Sequence, residues 1–233
     1  MAKKGLSQAE IIAAIADMWN LLTEEQCALV ADHLEVKRYK KNQVIYAEGE
    51  IPSHLLCLLE GKVKIYREGV GGRNQIMRVI KPVEYFAYRA YFAEERFVTA
   101  ASAFEASTVC AIPMSIITQL LETNNKLAMF FIKLLSIDLG QSDERTVNLT
   151  QKHIRGRLAE SLIFLKETYG LEEDGATISI FLSREDLANL SNMTTSNAIR
   201  TLSNFANEKL IALDGRKITL IDEEELRKIS RIG

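Results

Sequence analysis

Leu182–Phe205 reads LSREDLANLSNMTTSNAIRTLSNF, and this pattern predicts two short helices meeting at a tight turn. Ser183 stands as an N-cap, with Asp186 three residues on as the acidic half of a capping box. Leu187 and Leu190, at i and i+3, give the first helix one apolar face. Ser191-Asn192-Met193 is long enough only for a turn, and Thr194 is a fresh N-cap. In the second helix Ala198, Leu202 and Phe205 recur at i, i+4 and i+7 and face inward, so Ser196, Ile199, Arg200 and Ser203 share the opposite face. A face of small polar residues with a single Arg suits a helix lying in a DNA major groove. An ordinary helical hairpin fits this stretch equally well.

The residues that follow favour the first reading. Lys209–Leu213 is a short apolar run, Asp214-Gly215 is a hairpin signal, and Lys217–Leu220 returns with period-two alternation. Two helices followed by a hairpin read as a winged helix-turn-helix. Asp222 then caps a last helix, Glu223–Ser230, acidic in its first turn and basic in its last.

Composition bounds the class. The chain has 233 residues, 47% hydrophobic and 26% charged, which describes a globular protein of one large or two modest domains. No basic segment precedes an apolar core of signal-peptide type, and the uncharged stretch Ala106–Leu121 is broken by Pro113 and polar side chains. A cytoplasmic protein without a membrane span is expected. Cys27, Cys57 and Cys110 are too scattered for a disulfide framework or a zinc module, and three thiols cannot supply an iron–sulfur cluster. The net charge of −2 opposes nucleic-acid binding, and from residue 153 onward 11 Lys and Arg face 13 Asp and Glu. Any DNA contact must come from a local cluster, for which Arg184, Arg200, Lys209, Arg216 and Lys217 are the candidates.

Towards the N-terminus, Ser7 with Glu10 and Thr23 with Gln26 are capping-box pairs, so Ser7–His33 reads as helices. From Lys37 to Pro113 the period changes to two. Gln43–Tyr46, Leu55–Leu59, Lys62–Tyr66, Gln75–Ile80 and Thr108–Ile112 read as strands, separated by Glu48-Gly49, Glu60-Gly61 and Gly71-Gly72 turns. Short strands at this spacing mean a sandwich, jelly roll or barrel. Ser115–Glu122 is a short helix. Asn124 or Asn125 caps a long one reaching towards Leu149, whose first half is apolar over a wide arc. That width implies packing on the barrel on one side and on a second helix on the other. Its second half is polar, and Gly140 costs about 1 kcal/mol relative to Ala there. A further amphipathic helix, Arg155–Tyr169, precedes the loop Gly170–Thr177.

This order resembles the catabolite-activator (CRP/FNR) family of bacterial transcription regulators over nearly the whole chain. The likeness rests on Tyr39–Ile45, Glu48-Gly49-Glu50, Glu60–Tyr66, Gly72–Ile80, Phe86–Phe92, the string from Asn148-Leu149 to Gly156-Arg157-Leu158-Ala159, and the C-terminal module. The resemblance implies an α+β chain: a cyclic-nucleotide-binding-like β jelly roll over residues 1–123, a dimerisation helix over 124–151, and a winged helix-turn-helix over 152–233. It implies a homodimer that binds an effector in the barrel and reads a palindromic double-stranded DNA operator, with RNA polymerase as a partner if it activates. It places DNA contacts on Arg184, Thr194, Thr195, Ser196, Asn197, Ile199 and Arg200. It places the dimer seam on Phe130, Phe131, Leu134, Ile137, Asp138 and Gln141, with Phe131 and Leu134 as central anchors.

The departures from the family pattern bear on the effector. Cyclic-nucleotide-binding members carry Gly-Glu-Leu, then Arg-Ser or Arg-Thr, where Glu takes the ribose hydroxyl and Arg the cyclic phosphate. The matching residues here are Ala87-Tyr88-Arg89, then Arg96-Phe97. A phenol replaces the carboxylate, a phenyl ring replaces the hydroxyl, and of the pair that reaches the base across the dimer only Ser142 keeps its hydroxyl. Cyclic AMP is therefore not expected in its usual pose, and the cofactor is left unknown. In the second reading helix the family's Glu-Thr-x-x-Arg becomes Ser196-Asn197-Ala198-Ile199-Arg200. Arg pairs with guanine O6 and N7, whereas the lost Glu would accept from cytosine N4. No phosphate loop, metal cluster or nucleophile–base pair points to an enzyme. Two rival readings stand beside the regulator. One is a ligand sensor with a degenerate DNA module. The other is a cupin-type metal enzyme, which would need clustered His and Glu where His54 is the only strand histidine.

Overall fold

The computed structural model describes residues 7–69, 72 and 74–232. Gly71, Arg73 and the outermost positions of the expected domain bounds lie outside the described residues. The chain forms two compact units. The first holds the chain up to Arg67 together with Met77–Leu139; the second holds Glu68–Ile76 and the chain from Gly140 onward.

The first unit opens with α1 (Gln8–Ala14), α2 (Ala16–Trp19) and α3 (Glu24–His33). Both expected capping boxes form: Ser7 accepts from the Glu10 N–H and Thr23 from the Gln26 N–H, with reciprocal carboxylate and amide bonds. Strands β1 (Glu35–Tyr39), β2 (Val44–Tyr46), β3 (His54–Glu60), β4 (Val63–Glu68), β5 (Asn74–Ile80) and β6 (Tyr85–Phe86) follow. Then come α4 (Arg89–Phe92), β7 (Ala100–Ala103), β8 (Ser107–Pro113), α5 (Met114–Leu121) and the long α6 (Asn125–Gln151). The strands make two four-stranded sheets, β1-β8-β3-β6 and β2-β7-β4-β5. Two four-stranded sheets agree with the sandwich, jelly roll or barrel that the strand spacing predicts and with the jelly roll that the resemblance implies.

Strand β3 shows why its sequence is apolar throughout. Leu55, Cys57 and Leu59 face a core shared with α1, α2, α5 and α6, while Leu56 and Leu58 face a second core between the sheets. Buried on both faces, the strand needs no polar alternation. Cys57 lies opposite Cys110 of β8 in the antiparallel ladder. Both thiols are free and buried, and loss of hydration raises both pKa values, Cys110 to about 12. Such thiols act as small core hydrophobes. Between β3 and β4, Gly61 sits at φ +91°, and a Cβ there would lie 2.6 Å from the Ala106 carbonyl oxygen and 2.8 Å from Ser107 Cα. Only glycine fits this corner. Asn124 caps α6, its Oδ1 accepting from the Leu127 N–H at 3.0 Å.

The second unit contains α7 (Ile154–Tyr169), α8 (Arg184–Leu190), α9 (Thr195–Asn207), β9 (Ile211–Asp214), β10 (Lys217–Leu220) and α10 (Glu223–Ile232). Leu158, Leu162, Leu165, Leu187, Ala198, Leu202, Phe205, Ile211 and Leu226 are all buried. Full burial of a side chain the size of Phe205 contributes about 2–3 kcal/mol. Asp222 caps α10 by accepting from the Glu225 N–H at 2.9 Å. Among the described residues, no helix is long and apolar enough to cross a membrane.

Candidate nucleic-acid interface and barrel site

The helix-turn-helix forms where the caps place it. Ser183 Oγ accepts from the Asp186 N–H at 2.9 Å and starts α8; Thr194 Oγ1 accepts from the Asn197 N–H at 3.2 Å and starts α9. Between them Asn192 takes φ +49°, a left-handed turn that asparagine tolerates. Ala198, Leu202 and Phe205 are at most 1% exposed, whereas Thr194, Thr195, Ser196, Ile199, Arg200 and Ser203 are all exposed. Ile199 is 48% exposed on that face, too open for a core residue. The Arg200 guanidinium donates to Asn197 Oδ1 at 2.9 Å, one helical turn back, which holds its fork along the exposed face.

The wing is the two-residue hairpin β9–β10, in which Asp214 pairs with Lys217 and Gly215 takes φ +55°. Arg184 belongs to this hairpin more than to an open surface. Its Nη2 donates to the Gly215 carbonyl at 2.7 Å, while Nη1 is buried without a hydrogen-bond partner. Burial lowers the guanidinium's pKa from its ordinary value. The sequence reading makes Arg184 a candidate DNA contact; in the structure its guanidinium also braces the wing turn. Arg216 and Lys217 at the hairpin tip are exposed, and Lys217 Nζ lies 5.8 Å from the Phe181 ring centroid.

In the barrel, the residues expected to line an effector pocket go different ways. Ala87 takes φ +72° and turns the chain into α4, so the adjacent Tyr88 is carried inward, 2% exposed. Its ring packs on Phe131 of α6 with centroids 5.7 Å apart. Its hydroxyl donates to Asp138 Oδ2 at 3.0 Å, and Arg78 Nη1 donates to the same oxygen at 2.6 Å. Burial, and then the Asp138 charge, raise the phenol's pKa above its usual value. Phe97 stacks on Tyr46 with centroids 4.0 Å apart and joins the core between the sheets. Arg89 pairs with Glu95 at 3.2 Å on the surface, Arg96 donates to the Gly49 carbonyl at 2.9 Å, and Ser142 is exposed on α6. The ribose acceptor is a phenol already engaged with Asp138, and the hydroxyl beside Arg96 is a stacked ring.

Residues 36–124 match the cyclic nucleotide-binding domain, and residues 156–229 match the Crp-like helix-turn-helix domain. The chain is 22% identical over 221 residues to the CRP-like cAMP-activated global transcriptional regulator of Mycobacterium tuberculosis, covering 94% of this chain and 99% of that one. It is 26% identical over 195 residues to Electron transport regulator A of Shewanella oneidensis, covering 83% and 78%. Among solved structures it is similar to FixK2 from Bradyrhizobium japonicum, with a TM-score of 0.75, 20% identity, and coverage of 84% and 96%. The chain belongs to the CRP/FNR family of transcription regulators. As a CRP/FNR regulator it is a DNA-binding protein and not an enzyme.

The long helix of this CRP/FNR regulator differs from the sequence reading in which face is free. Phe131 is 3% exposed and, with Phe130, Leu134 and Leu135, packs against the first unit's own core. Asp138 accepts from Arg78 and Tyr88 within the same chain. A wide apolar arc cannot reveal which half a barrel covers; of the two expected anchors, Phe131 is buried in the first unit's core and Leu134 is half-buried against it. The open stripe is Met129, Ile132, Ser136, Leu139, Asp143 and Val147, at steps of three and four. Met129 and Leu139 are 61% and 63% exposed on it. Ile137 and Gln141, also expected at the seam, are exposed. Sequence reasoning missed Arg78 and Tyr46, whose partners lie 60 and 51 residues away in sequence.

Proposed function

We propose that this CRP/FNR regulator acts as a cytoplasmic homodimer that reads a palindromic operator with α9 and does not take cyclic AMP as its effector. The observation that carries the reading is the exposed face of α9, where Arg200 stands with Thr195, Ser196 and Ile199 above a buried Ala198-Leu202-Phe205 stripe. Arg200 pairs with a guanine in each half-site, and Ile199 contacts a thymine methyl. Thr194, Thr195, Ser196 and Asn197, at the positive end of the helix, serve backbone phosphates or adjacent base edges. The wing cations Arg216 and Lys217 serve phosphates. Because the chain is not basic overall, this local set supplies the electrostatic attraction. The division 1–123, 124–151 and 152–233 assigns sensing, pairing and reading to successive segments. The matched family regions, 36–124 and 156–229, flank the pairing segment and share only residue 124 with it.

Pairing uses the open stripe of α6. Replacing Ile132 and Leu139 with Glu should give a folded monomer that loses operator binding; sedimentation of a monomeric wild type at micromolar concentration overturns the pairing. Selection of bound sequences from random duplexes should return a palindrome with half-sites about one helical turn, roughly 34 Å, apart. A selection that returns no sequence preference favours the ligand-sensor alternative. Calorimetry with cyclic AMP and cyclic GMP should give no heat of binding at physiological concentration. A low-micromolar dissociation constant defeats the effector reading.

A further inference from the structure

The turn of the helix-turn-helix and the end of the long helix are held by one side chain. Arg157, in the first turn of α7, donates through Nε to the Ser191 carbonyl at 3.2 Å and through Nη2 to the Asn192 carbonyl at 3.2 Å. Its Nη1 donates to the Lys152 carbonyl at 3.2 Å and the Leu149 carbonyl at 3.4 Å. Leu149 lies in the last turn of α6 and Lys152 just beyond it, where helix carbonyls lack partners of their own. Ser191 and Asn192 form the turn that sets the direction of α9. One turn further along the same face of α7, Ser191 Oγ donates to Ser161 Oγ at 2.8 Å, and both serines are buried. A planar guanidinium spreads five donors over three nitrogens and reaches all four carbonyls; an ammonium, with three donors on one nitrogen, cannot span them.

We infer that Arg157 is a positioning residue for DNA reading. It ties the direction of α9 to the end of α6, and thereby sets the half-site separation that the dimer accepts. The inference rests on the paired reading of an operator proposed above. If the two α6 helices pair, each α9 inherits its place from its own α6 through the Arg157 fork. A change of one base pair in separation rotates one half-site by roughly 34° about the DNA axis. A rigid tie makes that rotation costly; a loosened tie lets each α9 follow its half-site. Loss of stability alone would not do this, because among folded molecules it lowers affinity for all separations alike.

The experiment uses the full-length chain and the operator selected with it. Duplexes are made with the half-sites moved closer or apart by one and two base pairs. Wild type, Arg157→Lys, Arg157→Ala and Ser161→Ala are compared by fluorescence anisotropy, with urea melting to fix the folded fraction. Wild type should lose about tenfold or more in affinity when the separation changes by one base pair. In Arg157→Ala that preference should flatten to within about threefold, while affinity for the parent operator falls about tenfold. Arg157→Lys should resemble the alanine variant, and Ser161→Ala should keep the wild-type spacing preference because the guanidinium contacts are intact. A folded Arg157→Ala whose affinity falls equally at every separation overturns the inference. So does failure of both Arg157 variants to fold, which would assign the residue to stability. Wild type that shows no operator at all defeats the functional reading before any variant is made, and the inference falls with it.

Discussion

The reading helix and the barrel have each lost a glutamate relative to the family pattern, at Ser196 and at Tyr88, and the two losses have opposite consequences. On α9 the replacement stays on a convex, exposed surface, so the scaffold beneath it is untouched and only what the helix reads can change. In the barrel the replacement points inward, finds Asp138 and Phe131, and becomes part of the core. A surface position leaves its side chain free for an outside partner. An interior position is filled by the protein itself, since close-packed interiors do not keep voids.

The contrast can be broken most directly at Phe97. If the barrel site is now core, Phe97→Ala removes the ring stacked on Tyr46 and should cost about 3–5 kcal/mol of stability in urea melting. A variant as stable as wild type would mean that the barrel still keeps an open pocket there. The mirror experiment is Arg200→Ala, which should leave the melting curve within about 0.5 kcal/mol. It should cost about 1–3 kcal/mol of binding per half-site and flatten preference at one base pair. Equal loss on all sequences would make Arg200 a phosphate contact instead.

Where the sequence was legible and where it was not follows the range of the interactions. Ser183, Thr194 and Asp222 cap helices three residues away, so a local pattern contains both donor and acceptor. Strands β1 and β7 are not legible in the sequence, for different reasons. Glu35–Tyr39 is mostly exposed or half-buried with charged positions, and Ala100–Ala103 has only small side chains, so neither shows strong strand propensity. Their pairing comes from distant partners: Val36 lies against Cys110, and Lys64 against Ser102. Candidate residues on α9 were legible because a 3.6-residue period separates inside from outside. The orientation of Tyr88 was not, because Asp138 lies 50 residues away. Phe131 and Ile132 look alike in sequence; the barrel face that covers one and not the other is set by tertiary packing.

A gentler substitution sharpens the comparison at Tyr88. Tyr88→Phe keeps the ring in the core and removes only the donor to Asp138, which retains Arg78. The expected loss is about 0.5–1.5 kcal/mol of stability with no change in operator preference. A larger loss would show that the hydroxyl does more than fill space. The smallest effect concerns the loop before α8. Asp174 accepts from Thr177 Oγ1 at 2.6 Å, the Thr177 N–H at 2.8 Å and the Ala176 N–H at 3.0 Å. These bonds, the Thr177 hydroxyl foremost, lower its pKa to about 2. Its ionised form therefore supports the fold fully above the ordinary carboxylate range near about 4, and the support is lost as pH falls through the depressed value. Asp174→Asn should flatten stability measured between about pH 4 and pH 2 and change DNA reading not at all. An unchanged acid profile would remove Asp174 as a contributor.

The corner at Gly61 has a consequence for how this barrel tolerates change. Most of the jelly roll admits substitutes, because one apolar side chain of suitable volume can stand in for another. At position 61 there is no such freedom, since even a methyl group meets the Ala106 carbonyl oxygen and the Ser107 backbone. The steric limit leaves the corner one residue type for as long as the turn keeps this shape. A codon change there acts on whether the barrel folds, before any question of effector or operator arises.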